Sequence, residues 1–320
     1  MITEIGNDIG RAASLLKAGG LVAIPTETVY GLAANALDQE AVLQIFKTKN
    51  RPAFNPLIVH VNDISEFERY VVSVPKEIYR LAELFSPGPL TFVLPKKSVI
   101  PDIVTGGGET VALRIPKHPV ALALLQNSGL PLAAPSANPF GYISPVTAAH
   151  VKESLEGKIP YILEGGACSI GVESTVVMMR GETLVVLRKG GIGLEELREV
   201  VSDVRLEVNL SSDPKSPGQL KSHYAPRVPF LLGDLPALLH EHAGKPIAVL
   251  SFEKSYSGAD IVANEVLSVS GDLTEAARNL FNAMRRLDRT DVQVILAERV
   301  PDQGLGMAIN DRLERAAAIT

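Results

Sequence analysis

Apolar residues between about Ile2 and Val208 cluster in short blocks rich in β-branched side chains and bounded by Gly and Pro, the pattern of buried strands. Leu21–Ile24, Leu57–Val61, Thr91–Leu94, Val111–Ile115, Leu132–Ala134, Tyr161–Leu163, Thr175–Met178 and Leu184–Leu187 all read this way. Between them, the stretch from Asp38 to about Thr48 carries Val42, Ile45 and Phe46 at helical spacing, and Pro52 and Pro56 stop that helix. A second helix is predicted over Val146–Leu155, with Ser144 at its N-cap and Pro145 at N1. Strands in this number, interleaved with helices, predict an α/β domain around one large twisted sheet.

The pattern lapses between about Asn209 and Pro229, where Ser, Pro, Gly and Lys dominate. By composition this is a linker. Its end nevertheless holds Lys221, His223 and Tyr224, a more reactive set than a spacer needs. Beyond Pro229 the periodicity resumes with a strand near Ile247–Ser251, an amphipathic helix near Leu273–Leu287 and a strand near Val292–Ala297, which predicts a smaller α/β unit. The expected division is therefore 1–208, 209–229 and 230–320. The segment Gly304–Arg312 lacks the complete G-x-G-x-x-G pattern and reads as a turn into the final helix.

A length of 320 residues is more than one core usually serves, in keeping with two domains. With 46% hydrophobic and 21% charged residues, the composition is that of a soluble globular protein. The net charge of −5 speaks against a surface devoted to nucleic-acid backbone, while leaving room for a local basic cleft. A single cysteine, Cys168, excludes an intramolecular disulfide and a cysteine-based zinc site, and its apolar setting reads as packing rather than nucleophile. The opening residues lack the basic-then-apolar plan of a signal peptide, and no apolar run approaches the roughly 20 residues a bilayer requires. A cytoplasmic location with no membrane role is expected.

Lys49-Asn50-Arg51, at the carbonyl end of the first helix, and Ser136-Ala137-Asn138, after a strand, together suggest a site for an anionic ligand; a solvated charge cluster is the plain alternative. Ser144 has a sufficient structural reason as a cap, though a helix start also favours phosphate. These motifs sit in longer strings: Pro25-Thr26-Glu27-Thr28-Val29-Tyr30-Gly31-Leu32, Asn55-Pro56-Leu57-Ile58-Val59-His60, Ser86-Pro87-Gly88-Pro89-Leu90-Thr91, Val111-Ala112-Leu113-Arg114-Ile115-Pro116, Ala134-Pro135-Ser136-Ala137-Asn138 and Gly171-Val172-Glu173-Ser174-Thr175-Val176. Over nearly its whole length the chain resembles the YrdC-like family, and within it the long, two-domain threonylcarbamoyl-AMP synthases.

The resemblance implies a mixed parallel and antiparallel sheet around a concave cavity, a linker acting as a lid, and a small Rossmann-like C-terminal domain. It implies a nucleotidyltransferase that makes threonylcarbamoyl-AMP and pyrophosphate from L-threonine, bicarbonate and ATP, with Mg²⁺ carried by ATP, and passes the product to a downstream tRNA threonylcarbamoyl transferase. Carried over by position, Thr28, His60, Arg114, the backbone at Ala134, and Ser174 would surround L-threonine. Arg51, Asn55, Thr110, Ser136, Ser144, Arg188 and Tyr224 would contact ATP, with Lys49 adding phosphate charge and Asn138 a further candidate.

Joining two anions requires cations and polarised donors to offset their repulsion, and Lys49 and Arg51 are the electrostatic candidates for that task. No Ser-His-Asp order, metal-ligand spacing or Walker A lysine stands out, which favours positioning over covalent catalysis. Glu27 and Glu173 are the nearest matches for a general base, with no partner identifiable for either. Two other readings remain: a double-stranded RNA-binding module using Lys47, Lys49 and Arg51 on phosphates, and a carbamoyl-transfer domain of the hydrogenase-maturation kind, which would carry the cysteine-rich modules absent here.

Overall fold

The computed structural model describes residues 2–207 and 223–318. Two sheets carry the architecture. Eleven strands form the first: β1 (Glu4–Gly6), β2 (Val22–Ile24), β3 (Gly31–Asn35), β4 (Ile58–His60), β5 (Leu90–Pro95), β6 (Thr110–Arg114), β7 (Leu132–Ala133), β8 (Tyr161–Leu163), β9 (Thr175–Arg180), β10 (Thr183–Arg188) and β11 (Val204–Leu206). Their order across the sheet is β1-β8-β2-β3-β7-β4-β6-β5-β9-β10-β11. Parallel pairs such as β4 with β6 and β5 with β9 alternate with antiparallel ones such as β5 with β6 and β9 with β10.

The eight strands expected from apolar blocks all form, with ends shifted by a few residues. Three others escaped that pattern. β3 is built of Gly, Leu, Ala and Asn and has no β-branched residue, and β1 and β11 are short and largely exposed, so neither shows a continuous apolar run.

The first expected helix runs Gln39–Lys49, capped by Asp38, whose carboxylate accepts from the Glu40 and Ala41 amides. It ends at Asn50, left-handed with φ 51°, a conformation Asn tolerates better than most residues. The helix expected to start at Ser144 starts instead at Ala148, with Thr147 as its cap and the Thr147 hydroxyl accepting from the His150 amide. Residues 144–146 are engaged elsewhere: the Pro145 carbonyl accepts from the Tyr30 amide and the Ser144 hydroxyl donates to Glu173.

The second sheet is wholly parallel, in the order β12 (Phe230–Leu232), β15 (Val294–Ala297), β13 (Ile247–Ser251), β14 (Ile261–Val266). β14 was hidden from the pattern because its residues are mostly half-exposed. The amphipathic helix Leu273–Leu287 lies where expected, and within the segment Gly304–Arg312 a turn at Gly304 and Leu305 leads into the helix Gly306–Ala317. These two helices face the first domain, so a single apolar cluster contains Val172 and Tyr224 together with Leu280, Phe281 and Leu313. Gly171 makes that contact possible. With φ +82° and the Ala277 carbonyl oxygen 2.5 Å from where its Cβ would stand, no other residue fits without moving the helix. Most of the expected 209–229 lid, including Lys221, lies outside the described residues.

Candidate active site

Strand register assembles the site. His60 on β4 is the partner of Arg114 on β6; Arg114 is the partner of Thr91 on β5; Thr91 pairs with Val176 on β9, and Val176 with Arg188 on β10. Residues directly opposite one another project from the same face, and the register irregularity between Val186 and Arg188 lets Arg188 join that face, so the row runs His60, Arg114, Thr91, Val176 and Arg188. Two residues back along the strands, Ile58, Val93 and Ala112 form an apolar floor. Arg114 and Arg188 are three strand steps apart, about 14 Å at the usual inter-strand spacing.

The loops above this row close a cavity of about 50 Å³ lined by Thr26, Thr28, Val29, Arg51, Ile58, His60, Arg114, Ala134, Ser136, Glu173, Ser174, Arg188, His223 and Tyr224. Ser136 is brought in by an antiparallel bridge to Gly31. Thr28, His60, Arg114, Ala134, Ser174, Arg51, Ser136, Arg188 and Tyr224, separate in sequence, therefore meet around one space.

Five expected site residues stand elsewhere. Lys49 is behind the wall, 1% exposed, its ammonium donating to the carbonyls of Ser136 and Asn138. The Asn138 amide nitrogen donates to the Pro139 and Tyr142 carbonyls, which makes Asn138 a loop staple. Ser144 is also behind the wall, with Glu173 between it and the cavity. Asn55 is fully buried next to Arg51, and neither atom of its amide has a partner among the described residues. Thr110 lines a second cavity of about 470 Å³ with Phe54, Pro56, Val93, Ala112 and Leu187. On β6, Thr110, Ala112 and Arg114 share a face, so the second cavity continues the first along the same side of the sheet.

Charge in the first cavity is arranged in two groups. Arg114 contacts Glu27 at 2.7 Å, an ion pair whose atoms are not aligned for a hydrogen bond, and its Nε donates to the Gly88 carbonyl at 3.2 Å. Arg51 donates to the carbonyls of Asn55 and Pro56 and meets no carboxylate among the described residues. Burial, with Arg188 nearby, pushes the Arg51 guanidinium down to about 9. Arg188 donates from Nε to the Ser174 carbonyl at 3.0 Å and from Nη2 to the Ser174 hydroxyl at 2.9 Å, and burial pushes it down to about 10. His60 is pushed down to about 3 by burial and by Arg114, so it stands neutral beside that cation.

Neither acidic candidate is an isolated base: Glu27 is engaged by Arg114, and Glu173 by Arg312 at 3.0 Å. Cys168 is buried, and its thiol is pushed up to about 12, which suits packing. Thr91, whose hydroxyl lies 2.8 Å from that of Ser174, and Arg312 were not singled out from the sequence. Thr91 follows from register with Arg114, whereas nothing in the linear pattern of the C-terminal helix marks Arg312. Tyr224 and His223 meet edge to face at 4.1 Å between ring centroids, and Tyr224 stacks on Phe281 at 5.4 Å.

A family model described as telomere recombination, spanning the Sua5, YciO and YrdC proteins, matches residues 14–190. A second, described as the C-terminal domain of threonylcarbamoyl-AMP synthase, matches residues 192–318. The chain belongs to the two-domain threonylcarbamoyl-AMP synthase family. Among members of that family, it is 44% identical to the threonylcarbamoyl-AMP synthase of Pyrococcus abyssi over 96% of this chain and 93% of that protein. The synthase of Bacillus subtilis is 42% identical over 97% of this chain and 92% of that protein. Its fold matches the crystal structure of P. abyssi Sua5 complexed with L-threonine at a TM-score of 0.91 and 42% identity, over 99% of this chain and 98% of that one. The RNA-binding alternative fares poorly beside these similarities. Lys49 and Arg51 are 1% and 8% exposed and turn inward, out of reach of a duplex backbone. No helix among the described residues is long and apolar enough to cross a membrane.

Proposed function

We propose that this chain is an L-threonylcarbamoyladenylate synthase, a nucleotidyltransferase that condenses L-threonine, bicarbonate and MgATP to threonylcarbamoyl-AMP and pyrophosphate. The observation that carries this reading is the division of one cavity into two guanidinium subsites: Arg114, paired with Glu27 beside the neutral His60, and Arg51 with Arg188. Two anions that repel each other in water are held on one wall by two separate guanidinium groups.

In this reading the threonine carboxylate meets Arg114, while Thr28, Ser174 and the neutral His60 frame the rest of the amino acid. Val29, Ile58 and Ala134 offer an apolar surface to the side-chain methyl. The triphosphate meets Arg51 and Arg188 beside Ser136 and Tyr224, and the second cavity, with Thr110 at its edge, receives the nucleoside. Mg²⁺ arrives as part of MgATP. The Asn55 amide, which has no partner among the described residues, supports a polar ligand in this half of the site, since buried polar groups are ordinarily satisfied.

The threonine amine takes up bicarbonate with loss of water to form an N-carboxylate. That carboxylate oxygen attacks the α-phosphorus, and the bond to the β-phosphate oxygen breaks to release pyrophosphate. Arg51 and Arg188 offset charge on the phosphates as the bond breaks. The product is a labile mixed anhydride, so the cover formed by His223 and Tyr224 serves to exclude water. A cytoplasmic tRNA threonylcarbamoyl transferase is the expected consumer.

Purified protein incubated with MgATP, labelled bicarbonate and L-threonine should release pyrophosphate only when all three are present, and prompt chromatography should show label in an adenylate. Salt-sensitive binding of duplex RNA without ATP turnover would overturn the proposal.

A further inference from the structure

The cavity that faces the phosphates has an acid in its wall. Glu173 lines it, and an uncompensated carboxylate at that position would repel a triphosphate. The larger part of its compensation comes from the other domain. Arg312, on the helix Gly306–Ala317, has no exposed surface, and its Nε donates to Glu173 Oε2 at 3.0 Å. Nη1 donates to the Lys189 carbonyl at 2.8 Å and to Asp311 Oδ2 at 2.9 Å, while Nη2 has no partner among the described residues. The other Glu173 oxygen accepts from the Ser144 hydroxyl at 2.7 Å. Burial works against ionisation of Glu173, yet Arg312 and Arg188 hold it below the usual carboxylate range.

We infer that Arg312 is a positioning residue for the nucleotide: a counter-charge supplied by the C-terminal domain that makes the Glu173 wall compatible with a bound triphosphate. The inference rests on the nucleotide reading of this cavity. Arg312 also lies over the Tyr224 ring, its guanidinium carbon 5.4 Å from the ring centroid, so a purely steric route from Arg312 to the site exists as well. The two routes separate when Glu173 is neutralised. If charge is the link, Arg312→Met exposes ATP to an unpaired carboxylate, and adding Glu173→Gln removes the repulsion. If only Tyr224 packing matters, the second substitution changes nothing.

The test is steady-state pyrophosphate release by the full-length chain, with ATP and threonine each varied in turn. Arg312→Met is expected to raise the ATP KM about tenfold or more, with the threonine KM changed less than about twofold. The Arg312→Met/Glu173→Gln double variant should return the ATP KM to within about threefold of the parent, and the uncharged pair avoids a buried unpaired ion that weakens folding. Arg312→Lys, which keeps the charge, should stay near the parent. If Arg312→Met does not fold, Arg312→Gln, which removes the charge but keeps a polar side chain beside Glu173, takes its place on the same criterion. The inference is overturned if the double variant keeps the raised ATP KM, if both substrates' KM values rise equally, or if Arg312→Met leaves the ATP KM unchanged. A parent protein that consumes no ATP would instead overturn the function proposed above.

Discussion

The Lys49 ammonium lies 2.5 Å from the Ser136 carbonyl oxygen, so the lysine reaches the cavity wall from behind and braces the loop that carries Ser136. Asn138 supplies a second carbonyl to the same ammonium. Lys49→Met should therefore act first on stability, because it leaves the Asn138 carbonyl without its donor, at a cost of about 1–3 kcal/mol, and the Ser136 carbonyl with only the Asn138 amide. Urea unfolding of the variant should show a lower midpoint, and nucleotide binding should fall through displacement of Ser136. A variant with unchanged midpoint and selectively lost ATP binding would make Lys49 a direct phosphate ligand instead.

Arg51 and Arg188 are electrostatic neighbours, whereas Arg114 faces His60 across β4 and β6, which predicts separable kinetic defects. Arg51→Ala should raise the ATP KM by roughly 10-fold or more, the loss of charge-assisted hydrogen bonds worth about 1.5–3 kcal/mol. Arg114→Ala alone would leave Glu27 buried and unpaired, so the cleaner variant is Glu27→Gln/Arg114→Met. Calorimetry on that folded variant should show threonine binding lost with ATP binding largely kept; retained threonine binding would refute the carboxylate role.

Serine should be used less well than threonine. Burying the extra methyl against Val29, Ile58 and Ala134 is worth about 0.8 kcal/mol, or roughly fourfold in kcat/KM. Equal or better use of serine would contradict the apolar wall assigned to those residues.

His60 is pushed down to about 3 by burial and Arg114, whereas an unfolded histidine titrates near 6.5. Between those values the unfolded chain binds a proton that the folded chain does not, so stability is lost as pH falls, by up to about 1.4 kcal/mol per pH unit. His150, pushed down to about 4, and His223, also lowered, add slopes of the same sign. Unfolding midpoints at about pH 7 and about pH 5 should draw closer together in His60→Asn than in the parent. An unchanged difference would show that His60 is not the buried neutral group described here.

Gly171→Ala is expected to weaken the contact between domains. The new Cβ would clash with the Ala277 carbonyl in a conformation unfavourable for L-residues, and a loss of about 2 kcal/mol or more follows from strain and displacement together. Because Glu173 and Ser174 follow immediately, the ATP KM should rise alongside the drop in melting temperature. Wild-type stability would mean that the helix yields freely.

Much of this protein was legible in its residues. Blocks of β-branched side chains located eight strands of the first sheet because burial on both faces needs continuous apolar runs, and Asp38 marked a helix start because its carboxylate caps free amides. The motif strings also indicated the family and most of the cavity lining. Side-chain direction was a different matter. Ser144 followed by Pro145 satisfies every local rule for a helix cap, yet Glu173, distant in sequence, claims the hydroxyl and Thr147 becomes the cap. Lys49 sits at a helix end where cations commonly meet solvent, but two carbonyls from another loop draw it inward. Strand register set His60, Arg114, Thr91 and Arg188 in one row, and domain packing brought Arg312 to Glu173. Local propensity follows from neighbours in the chain, so the sequence by itself determined the elements and their order. Which buried charge faces which depends on groups more than a hundred residues apart, such as Glu173 and Arg312, and only the tertiary structure decided that.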